Sequence, residues 1–335
     1  MGRYVVRRLL QGLLTLFFTL FIVHYLLAIS IQVRGNPAAA FFGENRVPTQ
    51  RQLDIVAEKF GTDDPCFEQL GNPCFSVFGS RMADLARWDL GVDYNFRPVN
   101  DLLALALPNT LRLFAVTTVV WIALGIGLGI LAALRREKFA DHAIRAGTVI
   151  MTAFPVFLIG VLLQRLLGVQ FGNWVRDNLP EEHFLGYVFR PTYTLEHPWL
   201  SILVPGIIVG LLGVAGLARL MRTSLLESLR SDHVRTGHAK GLKPRRVVVV
   251  HAVRNSLIPI VTAIGLQFGG ALAGAAVTET IFNIQGVGRL LLTSAVRNEM
   301  SIIIPIVTVV IIAYIVVNLI VDLTYAALDP RIRYV

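Results

Sequence analysis

The sequence predicts an all-α membrane protein: six transmembrane helices, with an outer cap between the first and the second. Three observations carry that reading. Of 335 residues, 54% are hydrophobic and 16% charged, where a soluble domain usually carries about a quarter charged. The charges gather in short blocks and leave long stretches with almost none. Six of those stretches reach the roughly 20 residues that an apolar helix needs to cross a hydrocarbon core of about 30 Å.

The first span, Leu9–Ile31, follows Arg3, Arg7 and Arg8 as a signal peptide would. It outruns the roughly 7–15 residues of a signal h-region, so a retained helix is expected. Leu111–Leu134 forms the second span, and Ala146–Gly168 the third, with Pro155 as a kink of the kind membrane helices tolerate. Leu200–Leu220, Ile258–Phe282 and Ile302–Ala326 complete the set. Basic residues cluster at the N-terminus, after the second span (Arg135, Arg136, Lys138, Arg145), after the fourth (Arg222 to Arg254) and in the tail (Arg331, Arg333). Lys and Arg stay on the cytoplasmic side, so both termini are expected there, as an even number of crossings requires. The chain then divides into 1–31, the N-terminus and first helix; 32–107, the extracytoplasmic cap; 108–326, a five-helix core holding a cytoplasmic loop at 223–257; and 327–335, a cytoplasmic tail.

In the cap, Leu53, Val56, Ala57 and Phe60 recur at helical spacing over Thr49–Phe60, which predicts a short helix. Cys66 and Cys74, each directly after a proline, also lie there. Outside the membrane is oxidising, which favours a local disulfide; the other reading is two thiols whose geometry never meets bonding limits.

The formal net charge is +9. The basic residues flank apolar spans instead of forming a soluble patch interleaved with aromatics, which argues against nucleic-acid binding. No Cys/His cluster has metal-ligand spacing, and no G-x-x-x-x-G-K-[ST], H-E-x-x-H or G-x-S-x-G occurs. No catalytic residue and no cofactor are therefore expected in this chain.

The most informative stretch is the loop Thr223–Leu257. Leu225, Leu226 and Leu229 share one helical face, as do Val247, Val250 and Val253. Between them Gly241 is placed to end one helical segment and Lys243-Pro244 to start the next. Two short helices meeting at a glycine corner suit protein docking better than a fluid basic tether held to anionic lipid headgroups.

Val234-Arg235-Thr236-Gly237-His238-Ala239-Lys240-Gly241-Leu242, followed by His251-Ala252-Val253-Arg254-Asn255-Ser256-Leu257-Ile258-Pro259, strongly resembles the EAA loop of ABC importer permeases, in its dipeptide/oligopeptide (peptide/nickel) branch. The resemblance runs through nearly the whole chain. Gly35-Asn36-Pro37, Phe60-Gly61-Thr62-Asp63-Asp64-Pro65, Asp89-Leu90-Gly91-Val92-Asp93 and Leu107-Pro108-Asn109-Thr110-Leu111 resemble family stretches in order, as do Thr278-Glu279-Thr280-Ile281-Phe282 and Gly286-Val287-Gly288-Arg289-Leu290. Leu328-Asp329-Pro330-Arg331-Ile332-Arg333-Tyr334 resembles the family tail almost letter for letter. Gly237 and His238 depart from the usual alanine and arginine.

The resemblance implies an ABC type I importer permease fold in the bacterial plasma (inner) membrane. It implies a second homologous permease subunit, two cytoplasmic ATPase domains that carry ATP and Mg, an extracytoplasmic solute-binding protein, and peptides as cargo. It assigns ATPase coupling to Arg235, Thr236, Gly237, His238, Ala239, Lys240, Gly241 and Leu242.

Within the spans, polar groups are few. Arg165, Glu279 and Asp322 sit toward helix ends, where snorkelling accounts for them; Gln267 is the most central, and Gln267 and Glu279 are the candidates for lining a pathway. Gly125, Gly127 and Gly129, with Gly265-x-x-x-Gly269 and Gly270-x-x-x-Gly274, read first as close helix packing and second as pathway lining. The rival from another class is an ion-coupled secondary transporter, but the inverted repeats and central ion sites of that class are not visible.

Overall fold

A computed structural model describes residues 2–34, 38, 42, 47–60, 64–93, 96–180, 182–296 and 300–328; for some helical stretches, among them 266–274 and 321–328, the description covers the backbone alone. In chain order the helices are α1 (Gly2–Arg34), α2 (Gln50–Phe60), α3 (Phe75–Ala86), α4 (Val99–Leu134), α5 (Phe139–Ala153), α6 (Val156–Leu163), α7 (Gly172–Asn178), α8 (Phe184–Val188), α9 (Pro198–Leu229), α10 (Asp232–Ala239), α11 (Pro244–Arg246), α12 (Arg254–Ile281), α13 (Val287–Val296) and α14 (Met300–Leu328). Wide π turns join α6 to α7 over Gln164–Phe171 and α11 to α12 over Val247–Val253. Among the described residues, six helical runs are long and apolar enough to cross a membrane: Val6–Val33, Val99–Leu134, Phe157–Asn178, Pro198–Leu229, Pro244–Gly265 and Ser301–Ile320.

The second and third spans are among those that differ from the sequence reading. The third was expected to run through Pro155, but the helix stops at Ala153 and restarts at Val156. Phe154 (ψ 140) and Pro155 (ψ 137) between them are extended. Proline lacks an N–H and biases the preceding residue away from helical angles, so here the kink becomes a break and the apolar run shifts to Phe157–Asn178. The second span begins at Val99, twelve residues before Leu111, and continues through Pro108. Val99, Leu103 and Ala106 are buried in one cluster with Leu90, Val287, Ile302 and Ile306. Contact with distant residues buries the side of this stretch that carries Val99, Leu103 and Ala106.

The chain forms two compact units, Met1–Pro108 with Gln285–Val316, and Asn109–Ile284 with Val317–Val335. In the first, α2 forms where its periodicity places it. Thr49 precedes it, and Gln52 Oε1 accepts the Thr49 N–H at 2.9 Å; a Gln at this position closes an orphan donor at a helix start. Leu53, Val56 and Ala57 pack with Ile31, Cys66, Phe67 and Val77. Cys66 and Cys74 are joined as a disulfide. The Gln32 side chain of α1 holds this loop twice, donating to Asn72 O at 2.8 Å and accepting the Gly71 N–H at 2.8 Å. Asp64 accepts the Cys66 N–H at 2.9 Å and the Ser76 hydroxyl at 2.7 Å, and these bonds hold its carboxyl below the usual carboxylate range. His24 of α1 is buried beneath the loop, its Nε2 3.3 Å from Cys74 O and its Nδ1 3.3 Å from Arg81 Nη1. Burial draws the Arg81 guanidinium down to about 10, which still leaves it charged at neutral pH.

The second unit is built on close approach of α4 and α9. A Cβ added at Gly125 would lie 2.8 Å from Leu217 Cδ2, and one at Gly129 would lie 2.6 Å from Met221 Cβ. From the other side, a Cβ at Gly206 or Gly210 would meet Val116 at 2.6 Å or Val120 at 2.8 Å. Small residues let backbones approach where lipid removes the hydrophobic drive for association. Gly127, between the two packing positions, faces open space. Of the paired glycines in α12, Gly269, Gly270 and Gly274 lie outside the described side chains.

Candidate functional site

The first leg of the expected corner, Thr223–Leu229, is the last two turns of α9 and not a separate helix. After Arg230 and Ser231 the chain re-enters a helix as α10, with Asp232 in its first turn, where the helix dipole favours negative charge. Val234 and Gly237 are buried on one side of α10, while Arg235, Thr236, His238, Ala239 and Lys240 are exposed. A Cβ at Gly237 would lie 3.4 Å from Val247 Cγ2, so the alanine usual in the resembling loops would fit here.

Gly241 turns the chain. Its φ of +73 is left-handed, a conformation that glycine adopts without steric cost. The N–H of Leu242 donates to Gly237 O at 3.2 Å and that of Gly241 to His238 O at 2.9 Å, the paired bonds that close a helix on a glycine. Lys243 is extended, and Pro244 opens α11 at the position where its missing N–H costs nothing.

Beneath this knob Leu225, Val234, Val247, Ala252, Met221 and Ile260 form one buried cluster. Val250, expected to share the buried face with Val247, is 45% exposed, whereas Ala252 is fully buried. The π turn accounts for the difference: it winds more residues into a turn than an α-helix does, so the three-four spacing no longer names the inward side. Hydroxyls cross between the helices here. Ser228 Oγ donates to Ala252 O at 3.0 Å and Ser224 Oγ to Ser256 O at 3.1 Å, while Ser256 Oγ donates back along its own helical run to Ala252 O at 2.7 Å. Asn255 Nδ2 lies 3.0 Å from His233 Nε2, joining the start of α12 to α10.

A buried ion pair fixes α5 to α9 near the same end. Arg222 Nε and Nη2 each donate to Asp141, at 2.7 Å and 2.7 Å, and the Glu137 N–H adds a bond of 3.0 Å. The Asp141 side chain is fully buried and that of Arg222 is 20% exposed. The Arg222 hydrogen bonds hold the Asp141 carboxyl down at about 2.

Residues 125–334 match the family described as "binding-protein-dependent transport system inner membrane component", a range that contains α5 to α14 entire. The chain belongs to this family. It is 33% identical over 337 residues to the glutathione transport system permease protein GsiC of Escherichia coli, covering all of both chains. It is 31% identical to a probable peptide ABC transporter permease protein, y4tP, of Sinorhizobium fredii, again over the whole of both. It is 32% identical to the dipeptide transport system permease protein DppB of Alkalihalophilus pseudofirmus, over 90% of this chain and 91% of that one. The permease is thus a membrane-embedded transport subunit of an ABC importer, and the ion-coupled alternative falls away.

Of the residues singled out from sequence, Arg235 through Leu242 come together on the permease's α10 and its corner. Gln267 lies in α12, but its side chain is outside the described residues. Glu279, expected to snorkel, is instead fully buried and accepts the Thr110 hydroxyl at 2.7 Å, a link between α12 and α4. Gln164 likewise turns inward, donating to Pro191 O at 3.0 Å and to Ile281 O at 2.7 Å. Sequence reasoning missed the Asp141–Arg222 pair and the serines. Ser224 and Ser228 stand four residues apart and so share a face of α9, a legible signal, but their carbonyl partners are set by the fold.

Proposed function

We propose that this subunit carries peptides inward across the bacterial plasma membrane, with both termini and the α10 knob on the cytoplasmic side. The cargo class rests on the glutathione, peptide and dipeptide relatives, and the orientation on the basic residues at 135–145 and 222–254. A second, homologous permease completes the pathway, an extracytoplasmic binding protein delivers the cargo, and two separate ATPase domains bind ATP and Mg. Gln267 touches cargo in that pathway.

One observation carries the reading: α10 is anchored on one face by the core it shares with α9 and α12 and bare on the other, from Arg235 to Lys240. A tethered loop on lipid headgroups would need no such buried underside. ATP binding to the docked ATPases moves this knob and favours one access state. A ligand shifts such an equilibrium only by its difference in affinity for the two states, and a tenfold shift needs about 1.4 kcal/mol of difference.

The test is purification of the assembled importer with Arg235→Glu and Lys240→Glu. Loss of the ATPases from the purified complex, with the two permeases still associated, is expected. Undiminished retention would overturn the assignment of the knob. Import of dipeptide, glutathione and nickel by proteoliposomes then tests the cargo separately.

A further inference from the structure

The junction between α10 and α12 contains a seven-residue π turn, Val247–Val253, at the point where a load on the knob must enter the membrane helix. In a π turn each N–H reaches back five residues instead of four, with poorer geometry, so such turns are short and concentrate at functional sites. Left to itself, this joint would be the most compliant part of the path from α10 to α12. It is not left to itself. The Ala252 carbonyl, whose two lone pairs can both accept, takes the hydroxyls of Ser228 from α9 and Ser256 from α12, at 3.0 and 2.7 Å. One turn further along, Ser224 Oγ donates to Ser256 O at 3.1 Å. Ala252 is fully buried and Ser256 is 1% exposed, so the accepting carbonyls are shielded from water. No charge is involved, and the bonds do not depend on pH.

We propose that Ser224 and Ser228 are positioning residues of a transmission joint. Their hydroxyls clamp the wide turn to α9, so that movement of the knob displaces α9 and α12 together and is not absorbed by flexing of the turn. This rests on the reading that α10 docks an ATPase, and adds to it a specific route for the motion. Apolar packing of Val234 and Val247 brings α10 to the bundle but leaves sliding along the helix axis cheap. A hydroxyl-to-carbonyl bond is directional and resists that sliding.

The experiment uses the complete importer in proteoliposomes, with import and ATP hydrolysis measured in the same vesicles. The double variant Ser224→Ala with Ser228→Ala is expected to keep its ATPases on purification and to hydrolyse ATP within about twofold of the unaltered complex. Cargo imported per ATP hydrolysed falls about fivefold or more, in the range of a typical coupling between sites. Ser224→Thr with Ser228→Thr, which keeps both hydroxyls at half-buried positions, restores the ratio. An unchanged ratio in the alanine variant overturns the joint, as does a fall that threonine does not rescue, since a purely steric role for serine would behave that way. If the unaltered complex holds its ATPases without any contact at α10, the docking reading fails instead, and cross-linking from Lys240 separates that outcome from failure of the joint.

Discussion

Replacing Gly241 isolates the backbone contribution of the corner from every contact around it. The residue sits at φ +73, and a Cβ built there would meet nothing within 4 Å. A side chain therefore collides with no neighbour, and the cost arises only from forcing an L-residue into the left-handed region, roughly 1–2 kcal/mol. Energy of that size changes a population ratio about 5- to 30-fold. The bonds from Leu242 to Gly237 O and from Gly241 to His238 O would be the ones surrendered, and α10 would leave its position over Val247. Gly241→Val should thus weaken ATPase retention and import by about 5- to 30-fold. Gly241→Asn, more tolerant of this conformation, should stay within about threefold, well under a 1 kcal/mol effect. The assay is titration of purified ATPase onto the reconstituted permease pair, with import measured in parallel. Equal behaviour of Val and Asn would refute the reasoning, because only backbone preference distinguishes the two in open space.

Asp141→Asn should destabilise the detergent-solubilised permease by about 3 kcal/mol, the lower end for breaking a buried pair, since Arg222 keeps some water contact. The carboxyl's folded value near 2 lies below its ordinary one of about 3.9. The pair's contribution is therefore complete above about pH 4 and is lost as pH falls through about 2. Melting curves of unaltered and variant protein should differ by a constant amount between pH 5 and 8 and converge only in strong acid. A gap that already closes between pH 5 and 8 would contradict the assigned pairing. Gly210→Ala should lower thermal stability by about 1–3 kcal/mol through overpacking against Val120, whereas Gly127→Ala should leave it unchanged; equal melting temperatures would remove the close α4–α9 approach as a determinant. Cys66→Ser should cost about 2–3 kcal/mol of local stability in the loop it closes, read as faster amide exchange over residues 66–74. Unaltered exchange there would mean that Gln32 and Asp64 hold the loop without the bond.

The membrane class, the number of spans, the helix at Gln50–Phe60 and the glycine corner were legible because each depends on near neighbours in sequence. An apolar run long enough to cross lipid is a local property, and so is the conformational freedom of Gly241. The family, too, was legible from motifs read in order. The limits of local reading appear at particular residues. Pro155 is compatible with a kink or a break, because a missing N–H and an extended preceding residue occur in both. Val250 belongs on the buried side only if the helix keeps α spacing, and the π turn removes that spacing.

Determined by the sequence alone, then, are how many apolar runs the chain holds and where the corner at Gly241 falls. Lipid and water sort residues one short stretch at a time. Tertiary structure alone decided the partners: Asp141 with Arg222, Glu279 with Thr110, Gln164 with the Pro191 and Ile281 carbonyls, and the serines with Ala252 and Ser256. These groups lie 24 to 169 residues apart along the chain. A polar side chain in an apolar span must find a mate, since an unmade bond there costs several kcal/mol, but which mate it finds depends on helices that meet only once the chain has folded.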